Sequence, residues 1–254
     1  FVTLITAFAN LFGLGGAPLC AMARGKGNRE GAQGIMVNAG FMLLLSGAVL
    51  TVLGIVFHRP LLYLFGASEV TYPYASSYIV IYLIGTLCVM LSLGLNPYIN
   101  CQGFARTGML TVALGAAANI VLDPIFIFAL HLGVRGATIA TVLSQFLSAA
   151  WVVKFLTGKK AELKLDFRGF RPDRQCIQRI TVLGIASFVM SFTDTLVQVA
   201  CNATLRNFGG DLYISVMTVL NSVRQIAQTP VLAIADGAST AISYNYGARL
   251  YRRT

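Results

Sequence analysis

Charge is what this sequence has least of. Only 11% of its 254 residues are Asp, Glu, Lys or Arg, against about 25% in soluble domains, which excludes an ordinary solvated surface. The two histidines, His58 and His131, and the five cysteines (Cys20, Cys88, Cys101, Cys176, Cys201) show no C-x-x-C or His–Cys spacing. That speaks against a metal cluster and against a disulfide framework. No Ser/His/Asp set and no phosphate-cradling glycine loop is present, so an enzyme is not expected, and no organic cofactor is implied. What remains is apolar: 56% of the residues are hydrophobic and the mean hydropathy is +0.73. The fold class is therefore an all-α polytopic membrane protein whose main partner is the lipid bilayer.

Seven spans are expected, at about 1–23, 34–57, 74–96, 108–131, 136–156, 179–205 and 212–246. The last is long and carries Arg224, Pro230 and Asp236, so it is expected to bend or to lie partly in the interface. The net charge of +10 does not indicate nucleic acid, because the basic residues sit in short loops. Of the 19 Lys and Arg, all but Arg59, Arg135, Arg206 and Arg224 fall on alternate loops or the tail. The positive-inside rule makes that side cytoplasmic, in a multi-pass plasma-membrane protein. The long polar segment 157–178 reads as a cytoplasmic linker between N-lobe helices in 1–156 and the start of a second lobe in 179–254. The chain opens at Phe1 inside an apolar run, without a charged n-region. It closes at Thr254 just after a span, and both ends read as truncations.

One stretch breaks the apolar pattern at membrane depth: Asn119-Ile-Val-Leu-Asp123-Pro124. Asn119 and Asp123 are one helical turn apart and share a face. Pro124 has no N–H, which frees the carbonyl of Ile120 and predicts a kink. An ionisable group in hydrocarbon costs several kcal/mol unless paired or hydrated, and marks a functional site by default. The alternative is a structural carboxylate satisfied by neighbouring helices.

Two patterns bear on packing. Gly15-Gly-Ala-Pro-Leu-Cys-Ala-Met-Ala-Arg-Gly25 aligns with Gly237-Ala-Ser-Thr-Ala-Ile-Ser-Tyr-Asn-Tyr-Gly247, and both run into a basic turn. With six spans' worth of chain between them, this points to parallel repeats of six helices. Gly136, Ala140, Ser144 and Ser148 recur every four residues, and Gly115 precedes three alanines, as close-packed membrane helices require. Trp151 beside Lys154 fits an interfacial anchor.

Asn119-Ile-Val-Leu-Asp123-Pro124-Ile-Phe-Ile-Phe, followed by Leu132-Gly-Val-Arg-Gly136-Ala-Thr-Ile-Ala-Thr141-Val-Leu-Ser-Gln145, resembles the multidrug and toxic compound extrusion (MATE) family. So do Gln102-Gly-Phe-Ala-Arg-Thr-Gly108-Met and Ser243-Tyr-Asn-Tyr-Gly-Ala-Arg249. The resemblance implies two six-helix lobes, of which this chain would hold helices two to eight. It also implies monomeric export of cationic or amphiphilic compounds in exchange for Na⁺ or H⁺. By the same resemblance, Asn119 and Asp123 belong to an N-lobe cation or proton site, with Thr141, Asn96 and Tyr78 in support. Asp194 is a candidate for a C-lobe site, and Asp236 is a further acid without a family counterpart. No metal is implied apart from Na⁺ at the coupling site.

Two other functions compete. A lipid-linked oligosaccharide flippase of the same superfamily would need a basic cavity, and here Arg224 is the only basic residue deep in a span. A non-transporting membrane scaffold would have little reason to bear the cost of an intramembrane acid.

Overall fold

The structure is a computed structural model that describes residues 2–64 and 72–253. Among them every regular element is a helix, and there is no strand. The helices are α1 (Val2–Gly25), α2 (Arg29–Leu64), α3 (Tyr72–Ile84), α4 (Thr86–Cys101), α5 (Ala105–Pro124), α6 (Gly133–Thr157) and α7 (Arg174–Gly247). A π-helical turn, Ile125–Ala129, follows α5. Five described helical stretches are long and apolar enough to cross a bilayer, and the bent pair α3–α4 makes a sixth crossing.

Three of the expected spans differ from what is observed. The third, expected as one helix over 74–96, bends by 55° at Gly85, and its second arm runs on to Cys101. A Cβ on Gly85 would meet Val142 of α6 at 2.7 Å, so the bend lies where α6 presses against the chain. The sixth and seventh are not separated by a break in helical structure: Arg174–Gly247 is one helix of 74 residues. Straight, it would measure about 110 Å at 1.5 Å per residue. Yet Gly184 lies against Leu11 and Gly247 against Met22, both on the 24-residue α1. The helix therefore doubles back between those two glycines; its first limb, Arg174–Gln198, is long and apolar enough to cross, whereas the expected span 212–246 is not among the described stretches that are.

α1 and α7 meet backbone to backbone. A Cβ on Gly15 would lie 2.7 Å from Gly184, and one on Gly184 would overlap the Leu11 carbonyl. At the other end Gly25 and Gly247, equivalent positions of the proposed repeat, face each other: a Cβ on Gly25 would sit 3.1 Å from the Gly247 carbonyl carbon. With lipid on the outside there is little hydrophobic drive to join helices, and close backbone approach supplies the van der Waals contact instead. α1 also packs on α2 and α4, and α4 in turn touches α5 and α6, which places α4 at the centre. Tyr98 of α4 is fully buried, and its hydroxyl donates to the Phe12 carbonyl at 2.7 Å. Gly16 leaves room for that ring.

The segment 157–173 is more than a polar linker. Ala161, Leu163 and Leu165 are buried while the residues between them are exposed. That period of two belongs to an extended chain with one side covered. The segment is tied to the helices at several points. Leu163 N–H donates to Gln102 Oε1 at 3.0 Å, Asp173 N–H to Asn38 Oδ1 at 3.0 Å, and Glu162 pairs with Arg24. Arg24 also donates to the Cys101 carbonyl and lies 5.8 Å from the centre of the Tyr244 ring. One side chain thus joins α1, α4, the 157–173 segment and the end of α7. The thiols of Cys20 and Cys101 lie 3.2 Å apart beneath it, unbridged.

Two outcomes follow. Gly184→Val forces a side chain into the Leu11 backbone, and overpacking of this kind costs about 1–3 kcal/mol. A lowered Tm in detergent checks it, and an unchanged Tm would show that α1 and α7 do not touch there. Leu163→Ala removes a buried anchor worth about 2–5 kcal/mol and should speed tryptic cleavage at Lys159, Lys160 and Lys164. Cleavage at the native rate would mean the segment is not docked.

Candidate functional site

α5 is poor in buried contacts: only Gly108, Thr111 and Gly115 are buried. Those three, with Asn119 and Asp123, recur every three or four residues and so lie along one stripe of the helix. Asn119 Nδ2 donates to Asp123 Oδ1 at 3.3 Å, and both residues are half-buried. This is the one-turn pairing that the sequence spacing predicts. Pro124, which is exposed, ends regular α geometry, and the chain widens into the π-turn. Leu130 N–H reaches back five residues to the Ile125 carbonyl at 2.9 Å. Gly136 of α6 lets the turn settle against it, since a Cβ there would lie 2.5 Å from the Phe126 carbonyl oxygen.

Between α4, α5 and α6 lies a cavity of about 270 Å³. Asn96, Asn119 and Thr141, each expected from the sequence, line it. Asp123 stands one turn along from Asn119, joined to the lining through that amide. Thr141 Oγ1 donates to the Ala137 carbonyl at 2.9 Å, which leaves its lone pairs free to accept or ligate. Asn96 Oδ1 is buried and meets no protein donor among the described residues. The lining holds no lysine or arginine. Pockets for drug-sized ligands run from roughly 300 to 1,000 Å³, so this one suits a small ion with a few waters better than an organic cargo.

Other sequence candidates are not brought here. Tyr78 stacks on Tyr82 with ring centres 6.1 Å apart and is not part of the lining. Asp194 and Asp236 are exposed on α7 and do not reach the cavity. Trp151, expected as an interfacial anchor, has its ring nitrogen buried with no acceptor among the described residues. An anchoring indole would keep that N–H at the wet boundary.

The cavity also uses residues that sequence reasoning overlooked or read only as packing. Ser92 Oγ donates to Gln145 Oε1 at 2.8 Å, which ties α4 to α6. Ser148 Oγ donates to the Thr111 carbonyl at 3.0 Å, which ties α6 to α5. Ser144 and Ser148 belong to the four-residue stripe, and that stripe does pack α6 on α5, but its hydroxyls also make the wall polar. Gln145 stood in an apolar run as a signal comparable to Asn119.

Comparison with known proteins agrees with this architecture. The MatE family profile matches residues 1–125. The multidrug export protein MepA of Staphylococcus haemolyticus is 25% identical over 243 residues, which cover 96% of this chain and 54% of that protein. MepA of Staphylococcus aureus is 20% identical over 245 residues, again 54% of its length. The chain thus spans about half the length of the curated relatives it matches. Among solved structures, a MATE protein in complex with MaD3S superposes with a TM-score of 0.88 at 26% identity, over 98% of this chain and 56% of that one. A MOP superfamily transporter from Pyrococcus furiosus, described as having reversed binding-pocket polarity, gives 0.86 at 27% identity over 98% of this chain and 55% of that one.

The cavity makes its own forecast. Gly115→Val places methyl groups against Ser148 and narrows the space between α5 and α6. A Thr141→Cys reporter should then react about tenfold more slowly with a water-soluble maleimide, the scale of a barrier raised by about 1.4 kcal/mol. An unchanged labelling rate would mean that water reaches Thr141 by another route.

Proposed function

Because the chain belongs to the MATE family, we propose that it serves secondary active efflux, exchanging Na⁺ or H⁺ for cationic or amphiphilic compounds, with Asp123 as the coupling carboxylate. The observation that carries this is the Asn119–Asp123 pair beside a small cavity that Asn96, Asn119 and Thr141 line, on a helix that loses α geometry after Pro124. The similarity to multidrug export proteins and to MATE structures supports the transport class.

The chemistry is simple. Na⁺ is a hard cation that takes oxygen ligands, and Asp123, Asn119, Thr141 and Asn96 offer carboxylate, amide and hydroxyl oxygens. Binding a cation or a proton changes the charge of Asp123. The adjoining π-turn, Ile125–Ala129, is the element such a change can bias, which favours one of two orientations of the bundle. A ligand shifts that equilibrium only by its differential affinity for the two states, so cargo and ion compete through the bundle rather than through contact. The cargo itself binds elsewhere, between the lobes, because the cavity is too small for it. A pyrophosphate-bearing lipid is disfavoured as cargo, since Arg224 is the only basic residue deep in an expected span.

Asp123→Asn in the complete gene product should abolish export of ethidium-like cations while the protein still reaches the membrane. Efflux measured in cells at varied Na⁺ and pH checks this and identifies the coupling ion. Export at the wild-type rate in that variant would end the coupling role of Asp123.

A further inference from the structure

The polar stripe of α5 does not stop at the cavity. Counting back from Asp123, it runs through Asn119, Gly115 and Thr111 to Gly108, one turn above the tight connection Gln102–Phe104 that joins α4 to α5. At 1.5 Å per residue, Gly108 to Asp123 covers roughly 22 Å, more than half of the roughly 30 Å hydrocarbon core. Across from Gly108 stand Asn96 and, one turn further along α4, Asn100. A Cβ on Gly108 would overlap Asn100 Oδ1 and lie 3.2 Å from Asn96 Oδ1. The two amide oxygens therefore converge on one spot, and the missing side chain at 108 lets them come up against the α5 backbone.

Both oxygens are buried, and neither meets a protein donor among the described residues. A buried polar group left unpaired costs about 1–3 kcal/mol. Two such acceptors, aimed at one point between the same pair of helices, signal a site that takes something positive or donating. The α5 stripe from Gly108 to Asn119 and the two asparagines hold no titratable group, so a proton has no side chain to step onto.

We propose that Asn96 and Asn100, facing Gly108, form a transit site for a monovalent alkali cation of the Na⁺ class, on its route between Asp123 and the cytoplasm. The proposal rests on the cation-coupling reading of Asp123 and extends it to a path and an ion. Both ligands are neutral, so the site binds weakly. Conduction demands this: an ion must be held strongly enough to enter and loosely enough to leave. Asn96 belongs to both the cavity and the transit site, which makes it the step between them. Asn100 is the outer ligand, and Gly108 lets both oxygens approach α5.

The test uses the complete gene product in liposomes, with Na⁺-gradient-driven exchange of an ethidium-like cation and equilibrium binding of radioactive sodium in detergent. Asn100→Leu removes an oxygen at constant volume, and Gly108→Ala adds a methyl against both oxygens. Each should slow exchange about tenfold, the scale of one lost contact to a charged group. Equilibrium sodium affinity should stay within about twofold of wild type, because the Asp123 site is intact. Asn100→Ser, which keeps a neutral oxygen, should recover exchange. Wild-type exchange rates in both Asn100→Leu and Gly108→Ala, while Asp123→Asn still blocks transport, would overturn the transit site and leave the coupling reading standing. Equal loss in Asn100→Leu and Asn100→Ser would show a packing role and also overturn it. A wild-type protein that neither binds sodium nor responds to it removes sodium coupling itself, and the transit site with it.

Discussion

The arrangement depends on two helices touching without side chains between them. Gly15 against Gly184 and Gly25 against Gly247 bring α1 and α7 into backbone contact at both ends. In water such a contact would add little to the burial of apolar side chains. In lipid, where the surroundings are as apolar as the helix, it is a main source of helix–helix attraction. α1 then carries α4 through Gly13, where a Cβ would lie 2.8 Å from the Gly94 carbonyl oxygen. α4 carries α5 and α6, so the position of the cavity follows from a chain of close approaches that begins with α1. Arg24 closes the same joint in polar terms, reaching α4, the docked segment and α7 from one guanidinium.

The second constraint is that polar groups at membrane depth need partners inside the protein. Most here find one on the helix next door or on their own preceding turn. Ser92 bonds Gln145, Ser148 bonds the Thr111 backbone and Thr141 bonds the Ala137 backbone. Among the described residues Thr86, Asn96, Asn100 and Trp151 each keep a buried polar atom without a partner, and two of these, Asn96 and Asn100, meet where α4 faces α5. Natural proteins tolerate such deficits mainly where function uses them, and these two face Gly108, on the stripe of α5 that leads to its intramembrane carboxylate.

Much of this was legible in the sequence, because hydropathy and helical periodicity survive without tertiary knowledge. The spans, the Asn119–Asp123 pairing and the close-packing stripe of α6 all rest on one-dimensional spacing. What was missed depends on contacts between distant segments. The bend at Gly85 reflects Val142 pressing from α6, which no local pattern encodes. Tyr78 was placed by family likeness and lies away from the lining. Trp151 was placed by its lysine neighbour, although its ring nitrogen is buried. The docking of 161–165 was legible and overlooked: Ala161-Glu-Leu163-Lys-Leu165-Asp alternates apolar and polar, but the charges drew attention away from the period. Asn100 and Gly108 were unreadable as a pair, since only the turn between α4 and α5 sets one against the other.

The π-turn at Ile125–Ala129 has an evolutionary consequence. Such a turn is an α-helix holding one surplus residue, so deleting one residue there returns the stretch to ordinary α geometry. The roughly 100° change of phase per residue would be taken up just beyond, where His131 and Gly133 adopt φ of 51° and 54°. Insertions and deletions can therefore accumulate between Pro124 and Gly133 without moving Asp123 or Thr141. Length variation among related chains is best accommodated in this short interval, with the carboxylate upstream held in register.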